Sequence, residues 1–109
     1  MIRIDFEKIV LRNIITNEEY MRKVLPFIQK EYFNGVYAKL FIVLVDLVAK
    51  YNKLPSEESF VLSVQELNLN PEMDRHAQDI IPDIFNSKEE NVEWLVDETE
   101  NWCQERAIH

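Results

Sequence analysis

The chain contains one glycine in 109 residues, and this shortage restricts its fold more than any other feature. Tight hairpin turns and sharp strand-to-helix loops depend on glycine, because glycine adopts positive φ angles without a steric penalty. Gly35 and four prolines leave too few turn residues for a many-stranded sheet or barrel. Apolar residues make up 47% of the chain, which is enough for one core. We therefore expect a single all-α domain over residues 1–109, a small orthogonal bundle of about six helices.

The shortage of glycine also excludes the common nucleotide-binding loops. Neither G-x-x-x-x-G-K-[ST] nor G-x-G-x-x-G can be written with a single glycine. ATP hydrolysis by a P-loop is therefore excluded for these residues. We expect no catalytic residue and no cofactor site in this chain.

Charge is unevenly distributed along the chain, whose formal net charge is −8. Residues 1–54 carry nine basic and six acidic side chains, whereas residues 55–109 carry three and fourteen. A surface this acidic gains little from releasing counterions on a phosphate backbone, so direct strong binding to nucleic acid is not expected. The asymmetry between the two halves favours contacts with other proteins.

Cysteine content and hydropathy indicate a cytoplasmic protein. Cys103 is the single cysteine and has no partner for an internal disulfide. No signal peptide precedes Asp5. The longest apolar run, residues 40–49, is interrupted by Asp46 and is shorter than the roughly 20 residues of a membrane span.

Apolar spacing and cap residues predict the helices. The pattern gives helices from Asp5 to about Thr16, Asn17 to about Leu25, Val36 to Tyr51, Ser56 to about Leu67, Asn70 to about Pro82, and Ser87 to His109. The third is apolar nearly all round and is expected at the centre of the core. Ser87 and Glu90 form a capping-box pattern for the last helix, which has no terminator and is expected to continue beyond residue 109.

The polar face of the fifth helix and the single cysteine are the candidates for a chemical site. Glu72, His76, Asp79 and Asp83 share one face of the fifth helix and could bind a metal, but a solvated helix face is the favoured interpretation. Nothing in the sequence places a histidine base beside Cys103, so a buried structural cysteine is favoured over a nucleophile. We expect no metal site.

The acidic side chains of the last helix are also interpreted as a solvated face. Trp94 and Trp102 lie eight residues apart, little more than two helical turns, and should project from nearly the same side. Exposed tryptophans on a charged helix are typical anchors of a protein interface, while burial in the core is the alternative for both.

Several segments together carry a family resemblance. In the last helix they are Trp94-Leu95-Val96, Glu98-Thr99-Glu100, Gln104 and Arg106-Ala107. Upstream they are Tyr20, Val24, Pro26, Glu31-Tyr32-Phe33, Ala38-Lys39, Phe41, Tyr51 and Leu54-Pro55-Ser56. Over essentially the whole chain this series resembles the N-terminal domain of the replicative hexameric helicases of T-even-type phages, relatives of bacterial DnaB. The chain departs from that pattern by one missing residue between Phe33 and Phe41, and by Tyr37 near a position where proline is frequent.

The resemblance implies a small helical domain that precedes a helical hairpin and a RecA-like motor. In that family the motor binds ATP and Mg²⁺ and drives 5′-to-3′ translocation on single-stranded DNA, so those cofactors are expected only in the motor, which is absent from these residues. The implied roles are assembly of the hexamer's N-terminal collar and docking of primase, in the host cytoplasm if the gene belongs to a phage. The implied partners are other helicase subunits and primase.

The last helix leads toward the hairpin, so its side chains Trp94, Glu98, Trp102 and Arg106 are the candidates for subunit or partner contacts. Without the hairpin, the chain is expected to be monomeric or weakly associating. The alternative function is a free-standing acidic helical adaptor or inhibitor that binds a protein partner.

Overall fold

The computed structural model describes residues 5–86 and 90–108, and within these ranges the chain is helical with no strand. The α helices are α1 (Phe6–Thr16), α2 (Glu18–Val24), α3 (Gly35–Tyr51), α4 (Glu57–Gln65), α5 (Pro71–Ile84) and α6 (Val92–Ile108), and two short 3₁₀ turns, Leu25–Phe27 and Lys30–Tyr32, join α2 to α3. The predicted all-α fold is confirmed.

Polar side chains at the predicted positions begin four of the helices. Asp5 accepts the backbone N–H of Lys8, and Asn17, Ser56 and Asn70 each accept the N–H of the residue three positions later, over 2.8–3.3 Å. Each bond satisfies one of the N–H groups that the first turn of a helix leaves without a helical partner.

The last helix begins later than predicted. Ser87, one half of the predicted capping box, lies outside the described residues, but Glu90 precedes the helix and cannot occupy its third position. The cap is Asn91, whose side-chain oxygen accepts the N–H of Trp94 at 2.9 Å. Asparagine caps a helix as well as serine does, so Asn91, which lies nearer the buried stripe of α6, sets the start.

One glycine and two asparagines of the described residues adopt positive φ angles. Gly35 begins α3 with φ of 53°, where a side chain would be strained. Asn52 ends α3 in the left-handed region and Asn68 adopts the same φ of 55° after α4. Asparagine tolerates this conformation better than other residues with a side chain, which explains how the chain turns with one glycine.

Pro82 disturbs α5 less than expected, because the helix continues to Ile84. The proline removes the one backbone N–H that its own nitrogen would donate, and the helix continues for two residues beyond it. Side chains of α1 also hold this turn: Lys8 Nζ contacts Asp83 Oδ2 at 2.7 Å, and Arg12 Nε donates to the Asp83 carbonyl at 3.4 Å.

The core is built around α1, α2 and the inner face of α3. Leu40 and Leu44 of α3 are fully buried, in agreement with a central position. Although nearly every face of α3 carries apolar side chains, not every face is buried. On the outer face, Ile42 is 40% and Val45 37% exposed. One side of the central helix is therefore uncovered. Within the described ranges, no helix combines the length and the apolar character that crossing a membrane requires.

Candidate protein-interaction surfaces

Helix α6 packs on α2 and on the second 3₁₀ turn through one narrow face. This face contains Leu95, Thr99, Trp102 and Cys103, all buried. The Thr99 hydroxyl makes a buried hydrogen bond of 2.6 Å with the Tyr20 hydroxyl, which joins α6 to α2. Burial of Tyr20 raises its pKa well above the usual range, so this phenol is protonated at neutral pH.

Trp102 is a core residue. Its side chain is 8% exposed and lies among three other rings, with centroid distances of 6.0 Å to Phe6, 6.1 Å to Tyr32 and 5.1 Å to Phe33. Two of these pairs are tilted and the Tyr32 pair is T-shaped, geometries that aromatic rings prefer. Trp102 therefore has the packing role that was the alternative for it.

Trp94, in contrast, is 49% exposed. The prediction that both tryptophans project from nearly the same side of α6 is therefore wrong. Eight residues are about 2.2 turns of an α helix, which leaves the second side chain rotated by about 80° from the first. On a helix that buries only a narrow face, this rotation separates a surface residue from a core residue.

Arg106 connects the end of α6 to the rest of the bundle. One guanidinium nitrogen lies 3.5 Å from Glu7 Oε2, and the group lies 5.6 Å from the centre of the Trp102 ring. Glu7 also accepts the backbone N–H and the side-chain N–H of Asn34, at 2.6 and 3.1 Å, before α3 begins. Arg106 is thus engaged within the chain, although it is partly exposed.

The outward face of α6 is acidic and carries one large aromatic side chain. Trp94 lies on this face, and Glu98 is half-buried at its edge. The other exposed carboxylates of the helix are Glu93, Asp97, Glu100 and Glu105. The combination of one apolar anchor with several carboxylates suits a partner that offers a hydrophobic pocket bordered by basic side chains.

The polar side chains of α5 are the other candidates for a chemical site. Among residues 5–86 and 90–108, no three side chains of His, Cys, Asp or Glu come together as a metal-binding group. The His76 ring lies 6.5 Å from the Tyr37 ring, and Asp83 pairs with Lys8.

Cys103 is buried on α6, and this burial, with a smaller effect from the charge of Glu100, raises its pKa to about 11. We expect the folded protein to react with a disulfide reagent at pH 8 far more slowly than a free thiol, because the thiolate is both scarce and covered. Urea should restore fast labelling. Equal labelling rates in the folded and unfolded states would contradict this burial.

A second surface lies on the outer face of α3 and on α4, where no sequence motif indicated one. Its exposed apolar side chains are Ile42, Val45, Tyr51, Leu62 and Leu67, and we call this surface the α3–α4 patch. It borders an open groove of about 1080 Å³ between α3, the segment of residues 25–31 and the end of α4. The signal in the sequence is the apolar character of α3 nearly all round, which predicts a central helix but does not show which of its faces is covered.

Comparison with known proteins indicates a relationship to replicative helicases. The chain is 28% identical over 102 residues to the DnaB-like replicative helicase of Enterobacteria phage T4. The match covers 93% of this chain and 21% of that relative, so the chain spans about a fifth of the relative's length. No protein-family model matches the chain. The similarity extends over nearly all of the bundle and supports a DnaB-like relationship.

Proposed function

We propose that this chain is the non-catalytic N-terminal domain of a DnaB-like replicative helicase. The observation that carries the proposal is the match to the phage T4 helicase over 102 residues, which includes almost the whole helical bundle but only 21% of the relative. A domain of this kind contributes binding surfaces, while ATP and Mg²⁺ bind in a motor domain of the same protein. These 109 residues contain no P-loop, which agrees with an ATP site in a separate motor domain.

Two roles follow for the domain, namely assembly of the hexamer collar and docking of primase at the fork. The chain has two separate surfaces suited to protein contacts, the acidic outward face of α6 and the α3–α4 patch. We assign primase docking to α6, where Trp94 is the anchor and Glu98 lies at the edge of the contact. Trp102 packs α6 against the Phe33 ring, and Arg106 pairs with Glu7 of α1.

Binding to the primase encoded in the same genome tests this assignment by isothermal titration calorimetry. We expect the wild-type chain to bind, and Trp94→Ala to weaken binding at least about tenfold, because an aromatic anchor at an interface contributes about 2 kcal/mol or more. Tyr51→Ala is the matched control, since it removes another exposed aromatic side chain, 58% exposed, away from α6.

Each outcome of the titration has a distinct meaning. Weakening by Trp94→Ala alone supports docking on α6. Weakening by Tyr51→Ala alone would move the contact to the α3–α4 patch and contradict the assignment to α6. An absence of binding heat at two temperatures, with the wild-type chain at about 100 µM, would contradict the primase role itself, because a binding enthalpy that is zero at one temperature is not zero at the other.

A further inference from the structure

Three exposed basic side chains come together where α2 and α3 end. The guanidinium group of Arg22 donates to Asn52, with one nitrogen 3.4 Å from the side-chain oxygen and the other 3.3 Å from the backbone oxygen. Lys50 lies in the last turn of α3 and Lys53 directly follows Asn52. We call Arg22, Lys50 and Lys53 the basic corner. It stands out in a chain whose net charge is −8.

The cations of the basic corner are not neutralised by ion pairs. Within residues 5–86 and 90–108, the ion pairs join other side chains, and none includes a member of the corner. Carboxylates three or four residues away along the chain, among them Glu19, Asp46 and Glu57, keep the local positive potential modest. The corner can therefore attract an external anion, although weakly.

An exposed aromatic ring lies in the same corner. Tyr51 is 58% exposed, more than any other aromatic side chain in the described part of the chain. The Lys50 ammonium group lies 5.5 Å from the centre of its ring. An exposed ring beside several cations is the combination by which proteins hold unpaired nucleotides, because the ring stacks on a base while the cations contact phosphates.

A small groove of about 550 Å³ lies beside this ring, and we call it the Tyr51 groove. Its lining includes apolar side chains and the hydroxyl groups of Ser56, Ser59 and Ser63. Of the described residues that line it, Lys53 alone is charged, so no carboxylate in the lining repels a phosphate. Apolar and hydroxyl-bearing side chains together suit a planar base, which stacks through its faces and forms hydrogen bonds through its edges.

We propose that the Tyr51 groove and the basic corner form a weak binding site for single-stranded nucleic acid. One base stacks on Tyr51, and neighbouring phosphates contact Lys50, Lys53 and Arg22. An acidic peptide would use the cations but leave the ring and the hydroxyl groups unused, so a nucleotide chain is the better fit. The site goes beyond the proposed function, which assigns only protein contacts to this chain.

The expected affinity is low, in agreement with the acidity of the chain. Three phosphate contacts on an otherwise acidic protein correspond to a dissociation constant of roughly 0.1–1 mM at about 0.05 M salt. Single strands lose affinity with salt in proportion to the number of phosphates contacted. Raising the salt concentration from about 0.05 to 0.15 M should therefore weaken binding about tenfold.

Titration of the isotope-labelled chain with an oligothymidylate of about ten nucleotides, followed by NMR, tests the proposal. We expect the amide signals of Arg22 and of residues 50–56 to shift and saturate, while those of α6 stay in place. Lys53→Glu should weaken binding at least about tenfold, because it replaces a phosphate contact by a repulsive charge. Tyr51→Ala should weaken it at least about fivefold, through loss of the stacked base.

Matched variants separate the site from general charge effects. Tyr51→Phe keeps the ring and should bind within about twofold of the wild type. Lys39→Glu makes the same charge change at an exposed position three turns earlier on α3, and should also change binding by no more than about twofold. The substituted side chains are exposed, and circular dichroism establishes that each variant is folded.

A duplex of the same length distinguishes stacking from simple attraction to phosphate. Its bases are paired and cannot stack on Tyr51, so Tyr51→Ala should leave duplex binding unchanged, whereas Lys53→Glu should weaken it. An equal effect of Tyr51→Ala on single strands and duplex would contradict the stacked base.

Three further results would overturn the proposal. The first is the absence of shifts with oligothymidylate at about 2 mM and low salt. The second is a set of shifts outside the Tyr51 groove and the basic corner. The third is binding of a polyglutamate peptide at these residues without binding of oligothymidylate, which would indicate an acidic protein partner. Primase binding is measured without nucleic acid, so failure of this site and failure of the proposed function are distinguishable.

Discussion

Trp102→Ala is expected to lower the free energy of unfolding by about 3–5 kcal/mol, the usual cost of truncating a buried tryptophan. The ring is 8% exposed and contacts Phe6, Tyr32 and Phe33, so its removal leaves a cavity between α1, the second 3₁₀ turn and α6. Domains of this size are stable by about 5–15 kcal/mol, so the variant loses a large fraction of its stability. Urea denaturation followed by circular dichroism measures the change.

The control for this prediction is Trp94→Ala, which removes the same side chain from the same helix. Trp94 is 49% exposed, and we expect a change of about 0.5 kcal/mol or less, as at other surface sites. The pair thus separates a structural tryptophan from a candidate interface tryptophan. Equal losses of stability in the two variants would contradict the placement of α6 on the bundle.

Tyr20→Phe and Thr99→Val are expected to destabilise the chain by about 1–3 kcal/mol each. The two hydroxyls are buried and satisfy each other over 2.6 Å, so removing either one leaves the other without its partner in an apolar environment. Removing both leaves no unpaired hydroxyl. The double variant should therefore lose less stability than the sum of the two single losses, by about 0.5 kcal/mol or more.

The same urea experiment on the four members of this cycle gives the coupling energy. Ser56→Ala in the wild-type and Thr99→Val backgrounds is a suitable control, because Ser56 caps α4 away from this pair. Its effect should be the same in both backgrounds. Strict additivity between Tyr20→Phe and Thr99→Val would contradict a direct hydrogen bond between α2 and α6.

The parts of this fold that could be predicted depend on local chemistry. Asn17, Ser56 and Asn70 are predictable as caps because a capping bond joins a side chain to a backbone N–H only three residues away. Where two good cap residues lie close together, as at residues 87–91, the local pattern does not decide between them. Tertiary packing of the buried stripe that includes Leu95 decides instead.

The candidate surfaces were harder to predict, because exposure depends on what covers a side chain. A spacing of eight residues predicts that Trp94 and Trp102 project from nearly the same side of α6, yet the rotation of about 80° separates them on a helix with a narrow buried face. Similarly, an all-apolar helix such as α3 fits both complete burial and an uncovered interface. The exposed fractions of Ile42 and Val45 distinguish these cases, and no periodicity in the sequence contains that information.

The central claim, that this bundle is the N-terminal domain of a DnaB-like helicase, is tested most directly by the coding sequence in the source genome. We expect the reading frame to continue past codon 109 through a helical hairpin into a segment with G-x-x-x-x-G-K-[ST]. A stop codon directly after codon 109, with no motor sequence in the same gene, would contradict the claim. That result would favour a free-standing acidic helical adaptor instead.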